Sequence, residues 1–301
     1  SSVVGDLQVG LTQTLTALSA GHSVSADQFE PGVPLADQAF YHDLDFVLVN
    51  WELSLDYALT TWMNLDVRVP VRLASVDATF LNQHDEVLPD FNSIHHRDET
   101  LTGLGDIAFG ARFDLLPADL VEGLMVLLSA GVTAPSGSTR PDPFVLGSDG
   151  QRHQHMFFGT GTIDPYLALV VAYDLSWMRL LGFVHGRASV YRNRYGYRGP
   201  GTVYAGIDGS SDFGLGTLVA SAGVHVMSET PATWGDRNAE NSGRTDLLIA
   251  LGIAWQASDA WRLQTGVKIP VWTEAIGGQL DIPIIWDIGV RFTTNALQRD
   301  P

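Results

Sequence analysis

Between Asn64 and Leu73 the chain reads Asn-Leu-Asp-Val-Arg-Val-Pro-Val-Arg-Leu. Leu65, Val67, Val69, Val71 and Leu73 fall on one side of a period-two pattern, and Asp66, Arg68, Pro70 and Arg72 fall on the other. That is a β-strand with one apolar and one charged face. A strand inside a soluble core does not present Asp66, Arg68 and Arg72 in a row unless that face meets water, so this strand separates two different solvents.

The pattern recurs along the chain. Leu7, Val9 and Leu11 alternate with Asp6, Gln8 and Gly10; Val47 to Leu55 alternate with Asn50, Glu52, Ser54 and Asp56; Ile107 to Phe113 oppose Asp106, Gly110 and Arg112. Further strands are expected at Leu124 to Val132, Leu167 to Tyr173, Leu180 to Val190, Phe213 to Met227, Thr245 to Gln256, Trp261 to Trp272 and Ile285 to Thr293. Long connections alternate with short ones, as they do when every second loop lies on the same side of a membrane barrel. The alternation fails near Phe213 unless Thr202 to Asp208 is also a strand, closed by the turn Gly209-Ser210-Ser211-Asp212. With it the expected fold is all-β: a single transmembrane antiparallel up-and-down barrel of about twelve strands over 1–294, with long extracellular loops, short periplasmic turns and a short periplasmic C-terminal tail at 295–301.

Composition agrees with a membrane strand protein and excludes other classes. Only 17% of the 301 residues are charged, against about 25% in an average soluble domain. No apolar run approaches the roughly 18 residues of a transmembrane helix. Cysteine is absent, which removes disulfides and thiolate chemistry, and a net charge of −17 argues against nucleic acid as a partner. The opening Ser-Ser-Val-Val-Gly-Asp has no basic or apolar leader character, so a signal peptide is expected to have been removed. Trp62, Trp177, Trp255 and Trp261, half of the eight tryptophans, flank short turns, where an interfacial aromatic girdle is expected; the alternative is tryptophans capping a soluble core.

Leu104-Gly105-Asp106 opening one strand, Ala134-Pro135-Ser136-Gly137 closing the next, and Gly159-Thr160-Gly161-Thr162-Ile163-Asp164-Pro165 opening the one after resemble the outer-membrane barrels of the MetA pathway of phenol degradation. The resemblance runs from Thr102 to Leu175 and extends loosely to the last strand. It implies a Gram-negative outer-membrane barrel, embedded in lipid, that passes small aromatic or apolar solutes. Such barrels usually stop at an aromatic residue; here Phe292 is followed by Thr-Thr-Asn-Ala-Leu-Gln-Arg-Asp-Pro.

If the apolar faces meet lipid, the polar faces line a lumen. Candidate lumen or constriction residues are Glu52, Asp66, Arg68, Arg72, Asp106, Arg112, Arg187, Arg262, Lys268, Asp287 and Arg291. They either select solutes or pair with one another and fill a narrow barrel. His95 and His96 in one loop, and His153 and His155 in the next, are candidate ligands for a loop-bound divalent metal, zinc or copper; the competing expectation is histidines that face water, and no cofactor. Gly-x-Ser-x-Gly, P-loop and His-Glu-x-x-His signatures are missing, so no enzyme is expected. Passive passage of small solutes is the leading expectation. The alternative is a structural or assembly barrel with a closed lumen, binding a partner protein or divalent cations through its acidic loops.

Overall fold

The computed structural model describes residues 3–24, 29, 32–89, 97–116, 120–239, 242–276 and 281–295. Strands β1 (Asp6–Ser23), β2 (Tyr41–Ala58), β3 (Met63–Leu81), β4 (Glu99–Leu104), β5 (Ile107–Asp114), β6 (Leu124–Ala134), β7 (Asp164–Asp174) and β8 (Arg179–Arg187) make the first part of the wall. After the short β9 (Tyr197–Arg198) come β10 (Thr202–Ser211) and β11 (Leu218–Glu229), then the short β12 (Thr233–Trp234) and β13 (Arg237–Asn238). The wall ends with β14 (Arg244–Gln256), β15 (Trp261–Ala275) and β16 (Asp281–Asn295). β4 and β5 both pair with β3 and form one broken stave, so the thirteen strands of the main sheet make twelve staves. Every neighbour pair is antiparallel, and β1 pairs with both β2 and β16, which closes the barrel. A closed sheet has no edge, the condition for placing strands in hydrocarbon.

Exposure follows the alternation. Leu11, Leu53, Leu55, Leu65, Phe109, Val132, Leu167, Val224, Leu251, Ile253, Trp286 and Ile288 are all exposed on the outer face. Asp66, His225 and Asp246, on the opposite parity, are buried. Trp62, Trp177, Trp255 and Trp261 lie exposed beside the short turns, and Trp261 packs on Phe292 with ring centroids 4.8 Å apart. The segment expected at 202–208 is strand β10, hydrogen-bonded to both β8 and β11, and it runs on to Ser211, so 209–211 belong to the strand and not to the expected turn.

Three other boundaries differ from the sequence expectation. β8 stops at Arg187, and Ala188 to Tyr191 belong to a loop. β11 begins at Leu218 and not at Phe213, because 212–217 form the turn, with Phe213 at φ 48° and Gly214 and Gly216 also at positive φ. β15 runs on to Ala275 and β16 begins at Asp281, beyond the expected Trp272 and Ile285. β16 extends through Asn295, whose side-chain amide donates to Asp6 Oδ1 at 3.0 Å; the rest of the expected tail lies outside the described residues.

β1, β2 and β3 contain 18, 18 and 19 residues, against about 9–11 needed to cross a bilayer. At their long-loop ends the two faces exchange character: Asp43, Asp45, Asp77 and Thr79 are exposed outside, while Leu18, Leu44, Ala74 and Phe80 are buried inside. There the wall has left the membrane and carries a small core of its own.

Candidate functional site

The inner face carries a ladder of charges set by register. Arg112 forms a two-pronged ion pair with Asp56 at 2.9 and 3.1 Å, and Asn64 donates to the same carboxylate at 2.6 Å. Arg68 stands 3.5 Å from Asp66. Lys268 is paired with Asp287, which also accepts from Thr14 at 2.7 Å. Arg244 grips the fully buried Asp246, which Thr273 also reaches. The carboxylate of Asp106 accepts from the Gly137 and Thr160 amides and the Thr160 hydroxyl at 2.7 to 3.0 Å, so it is turned into the loops at the break between β4 and β5.

The remaining basic groups differ. Arg72 has only long hydrogen bonds, to Asn50 Oδ1 and the Phe158 carbonyl, both 3.4 Å. Among the described residues no carboxylate lies within 4.0 Å of Arg72, Arg187, Arg262 or Arg291. Arg262 is the direct cross-strand partner of Arg291 near the short-turn end, a like-charge pair that strand pairing disfavours. Glu52, opposite Thr12 and Pro70, has no basic group within the same distance among the described residues. The lumen therefore holds local pairs alongside arginines that no described carboxylate approaches within 4.0 Å.

One sector is aromatic. Tyr166, His185, Phe183, Tyr204 and His225 project inward from β7, β8, β10 and β11; Tyr166 and His185 have ring centroids 5.7 Å apart, and Phe183, Tyr204 and His225 form a group with centroids 5.0 to 5.4 Å apart. Tyr204 and His225 Nδ1 are 2.6 Å apart and His225 Nε2 is 3.0 Å from Asp208, which holds the imidazole between two partners. Tyr166 lies flat against the wall because Gly110 and Gly131 are beneath it: a Cβ on either would fall 1.9 or 2.5 Å from its hydroxyl oxygen. That hydroxyl donates to Asp66 at 3.3 Å. Tyr166 is also the cross-strand partner of Arg187. Beside them a depression of about 490 Å³ is lined by lumen-side Tyr166, Arg187 and Thr202 and by lipid-side Leu167 and Val203.

The long loops build a cap over this end of the staves. Tyr197, Ala232 and Trp234 form a buried cluster against Phe144, Phe157, Tyr195 and Ala239. Burial pushes the Tyr197 hydroxyl up to about 12. Arg192 to Asp236 at 2.8 Å and Arg237 to Asp142 at 3.3 Å tie the loops to one another. The three motifs that carried the family resemblance meet below this cap: Ser136 Oγ donates to the Gly105 carbonyl and accepts from the Ile107 amide, both at 2.9 Å, and Gly137 packs against Gly159 with no room for a Cβ on either. Each motif looked local in the chain; their meeting is a tertiary fact that spacing could not show.

His153 and His155 approach at 3.1 Å between their Nε2 atoms, and His153 Nδ1 is 2.8 Å from the Gln151 carbonyl. His95 and His96 lie outside the described residues. Among the described residues no group of three His, Cys, Asp or Glu side chains is placed to hold a metal.

The chain matches no family model, and no curated protein matches it in sequence. Solved structures do resemble it. An outer-membrane channel from Pseudomonas putida F1 superposes with a TM-score of 0.62 at 10% identity, covering 98% of this chain and 97% of that one. The transport unit of the autotransporter AIDA-I from Escherichia coli gives 0.48 at 9% identity, covering 95% and 89%. The Ralstonia pickettii toluene transporter TbuX gives 0.46 at 6%, covering 97% and 90%. The first of these establishes the likeness of fold, and with the apolar exterior, the rim tryptophans and the charged interior the chain is an integral outer-membrane β-barrel.

Proposed function

We propose that the protein is a passive channel for small aromatic solutes and that it favours those bearing an anionic group. The observation that carries this reading is the inward aromatic sector together with arginines that have no carboxylate within 4.0 Å among the described residues, above all Arg187, the cross-strand partner of Tyr166. A ring lying on Tyr166, His185 and Phe183 gains stacking, and a carboxylate at its edge meets a planar guanidinium suited to it. The inner glycines support passage, because side chains that lie flat on the wall leave the axis to the solute. The finer family, the barrels of the MetA pathway of phenol degradation, rests on the three motifs quoted above and agrees with an aromatic cargo.

Purified protein in a planar bilayer should conduct. In proteoliposomes benzoate should enter faster than benzylammonium, and Arg187→Ala should narrow that difference. Silence in the bilayer together with no uptake of any aromatic probe overturns the channel. The reading then left is the closed barrel, which the paired Asp56, Asp246 and Asp287 favour, with a partner protein or a divalent cation at its loops.

A further inference from the structure

Among the described residues five buried side-chain polar atoms have no hydrogen-bond partner: Arg97 Nε, Thr133 Oγ1, Asp164 Oδ2, Ser189 Oγ and Thr233 Oγ1. Three of them fall in one row across the sheet. Thr133 on β6 is the register partner of Asp164 on β7. On the other side Tyr166 pairs with Arg187 and the Ala188 amide bonds to the Pro165 carbonyl at 3.2 Å, and continuing that register places Ser189 across from Asp164. All three side chains lie on the inner parity. Asp164 has no exposed surface and Thr133 is 6% exposed. A buried carboxylate oxygen and two buried hydroxyls, adjacent and not bonded to one another, amount to an oxygen-donor set without its acceptor of electron density.

The charge balance points the same way. Asp164 Oδ1 accepts from the fully buried Thr162 hydroxyl at 2.6 Å, and no basic group lies within 4.0 Å of the carboxylate among the described residues. Thr162 and Thr160 are 3.0 Å apart at their hydroxyls, and Thr160 bonds to Asp106, so a second buried carboxylate stands one threonine pair away. A water molecule would satisfy the hydroxyls but would bring no positive charge to the carboxylate. We propose that the Thr133, Asp164 and Ser189 row binds one hard, oxygen-preferring divalent cation, with Ca²⁺ as the fitting species. Carboxylate and hydroxyl oxygens without nitrogen or sulfur suit Ca²⁺ and not zinc or copper. Ca²⁺ also accepts irregular oxygen shells, whereas Mg²⁺ demands near-ideal octahedral geometry. This site is separate from the loop histidines. It joins β6, β7 and the segment after β8, three of the places where the cap's loops leave the wall, so the bound ion fastens the cap to the barrel.

Equilibrium dialysis of the detergent-solubilised full chain against ⁴⁵Ca²⁺, with thermal unfolding in Ca²⁺ and in EGTA, tests the assignment. The wild type should melt higher in Ca²⁺, and Asp164→Asn should bind one Ca²⁺ per chain fewer and lose the Ca²⁺-dependent part of its melting temperature. Asp43→Asn, at an exposed acid on the outer wall, should keep both. The milder Thr133→Val and Ser189→Ala should each raise the Ca²⁺ concentration needed for half-saturation, and they decide the matter if Asp164→Asn does not fold. Equal Ca²⁺ stoichiometry in wild type and Asp164→Asn, unchanged half-saturation in the milder pair, or a wild-type melting temperature indifferent to Ca²⁺ overturns the proposal. None of these readouts depends on whether the barrel conducts.

Discussion

Tyr166 shows how a single position shapes the interior. Its ring rests on Gly110 and Gly131, and a side chain on either glycine must push it off the wall toward the axis. Gly110→Val, where the nearest atoms to an added Cβ all belong to the Tyr166 and Asp66 side chains, should therefore lower single-channel conductance while leaving membrane insertion intact, as read by bilayer recording beside heat-modifiable migration. Arg262 and Arg291 face each other near the short-turn end with no acid within 4.0 Å among the described residues, and a confined positive pair attracts anions. Arg262→Glu should shift the reversal potential under a salt gradient toward cation preference, and an unmoved potential would place the pair outside the path. The candidate arginines were legible in the sequence as inward residues, because parity alone assigns a face. Which of them find a carboxylate was not, since Arg112 meets Asp56 only through a register that joins residues far apart in the chain.

At the level of the strand, face decides tolerance. Leu128 looks outward and its neighbour Ser129 inward, each on the parity of its cross-strand partners Phe113 and Arg112. Leu128→Arg should cost roughly 2–4 kcal/mol near the bilayer midplane, whereas Ser129→Arg should cost much less. Urea titrations of folding into lipid vesicles measure both, and equal costs would invert the assignment of faces. In the cap, Trp234→Ala removes the ring that Tyr197 packs on at 4.8 Å, and faster proteolysis of the long loops in intact cells is the expected result. The strand pattern was legible wherever a stave lies in lipid. It failed at Phe213 and Leu215, which are 76% and 64% exposed in a turn: their apolar character belongs to the membrane rim and imitates a continuing strand. It failed again at the tops of β1 to β3, where Leu44 and Asp45 exchange roles as the wall leaves the bilayer, a change of solvent that no local period announces. The row of Thr133, Asp164 and Ser189 was equally out of reach, because three separate segments contribute one oxygen each.

For the whole molecule, a heat-modifiable band on gels and loss of solubility without detergent are the expected marks of the intact barrel, and a protein that stays in solution unaided would contradict its apolar exterior. One architectural fact reaches further. β1 is paired along its length with β16, from Asp6 with Asn295 to Ser19 with Asp281. The earliest strand of the wall is therefore completed only by the latest. Until β16 arrives, β1 and β15 each present a row of amides and carbonyls to hydrocarbon, where every unsatisfied group costs several kcal/mol. A partly synthesised chain thus has no stable resting place in the bilayer, and insertion must be all-or-none and slow, governed by the search that brings the two distant strands together. A chain truncated before Asp281 should give no inserted intermediate in vesicle folding kinetics, only aggregate. Timing, as much as sequence, is what a cell must control to build this wall, by keeping the unfinished chain out of the membrane until its final strand has been made.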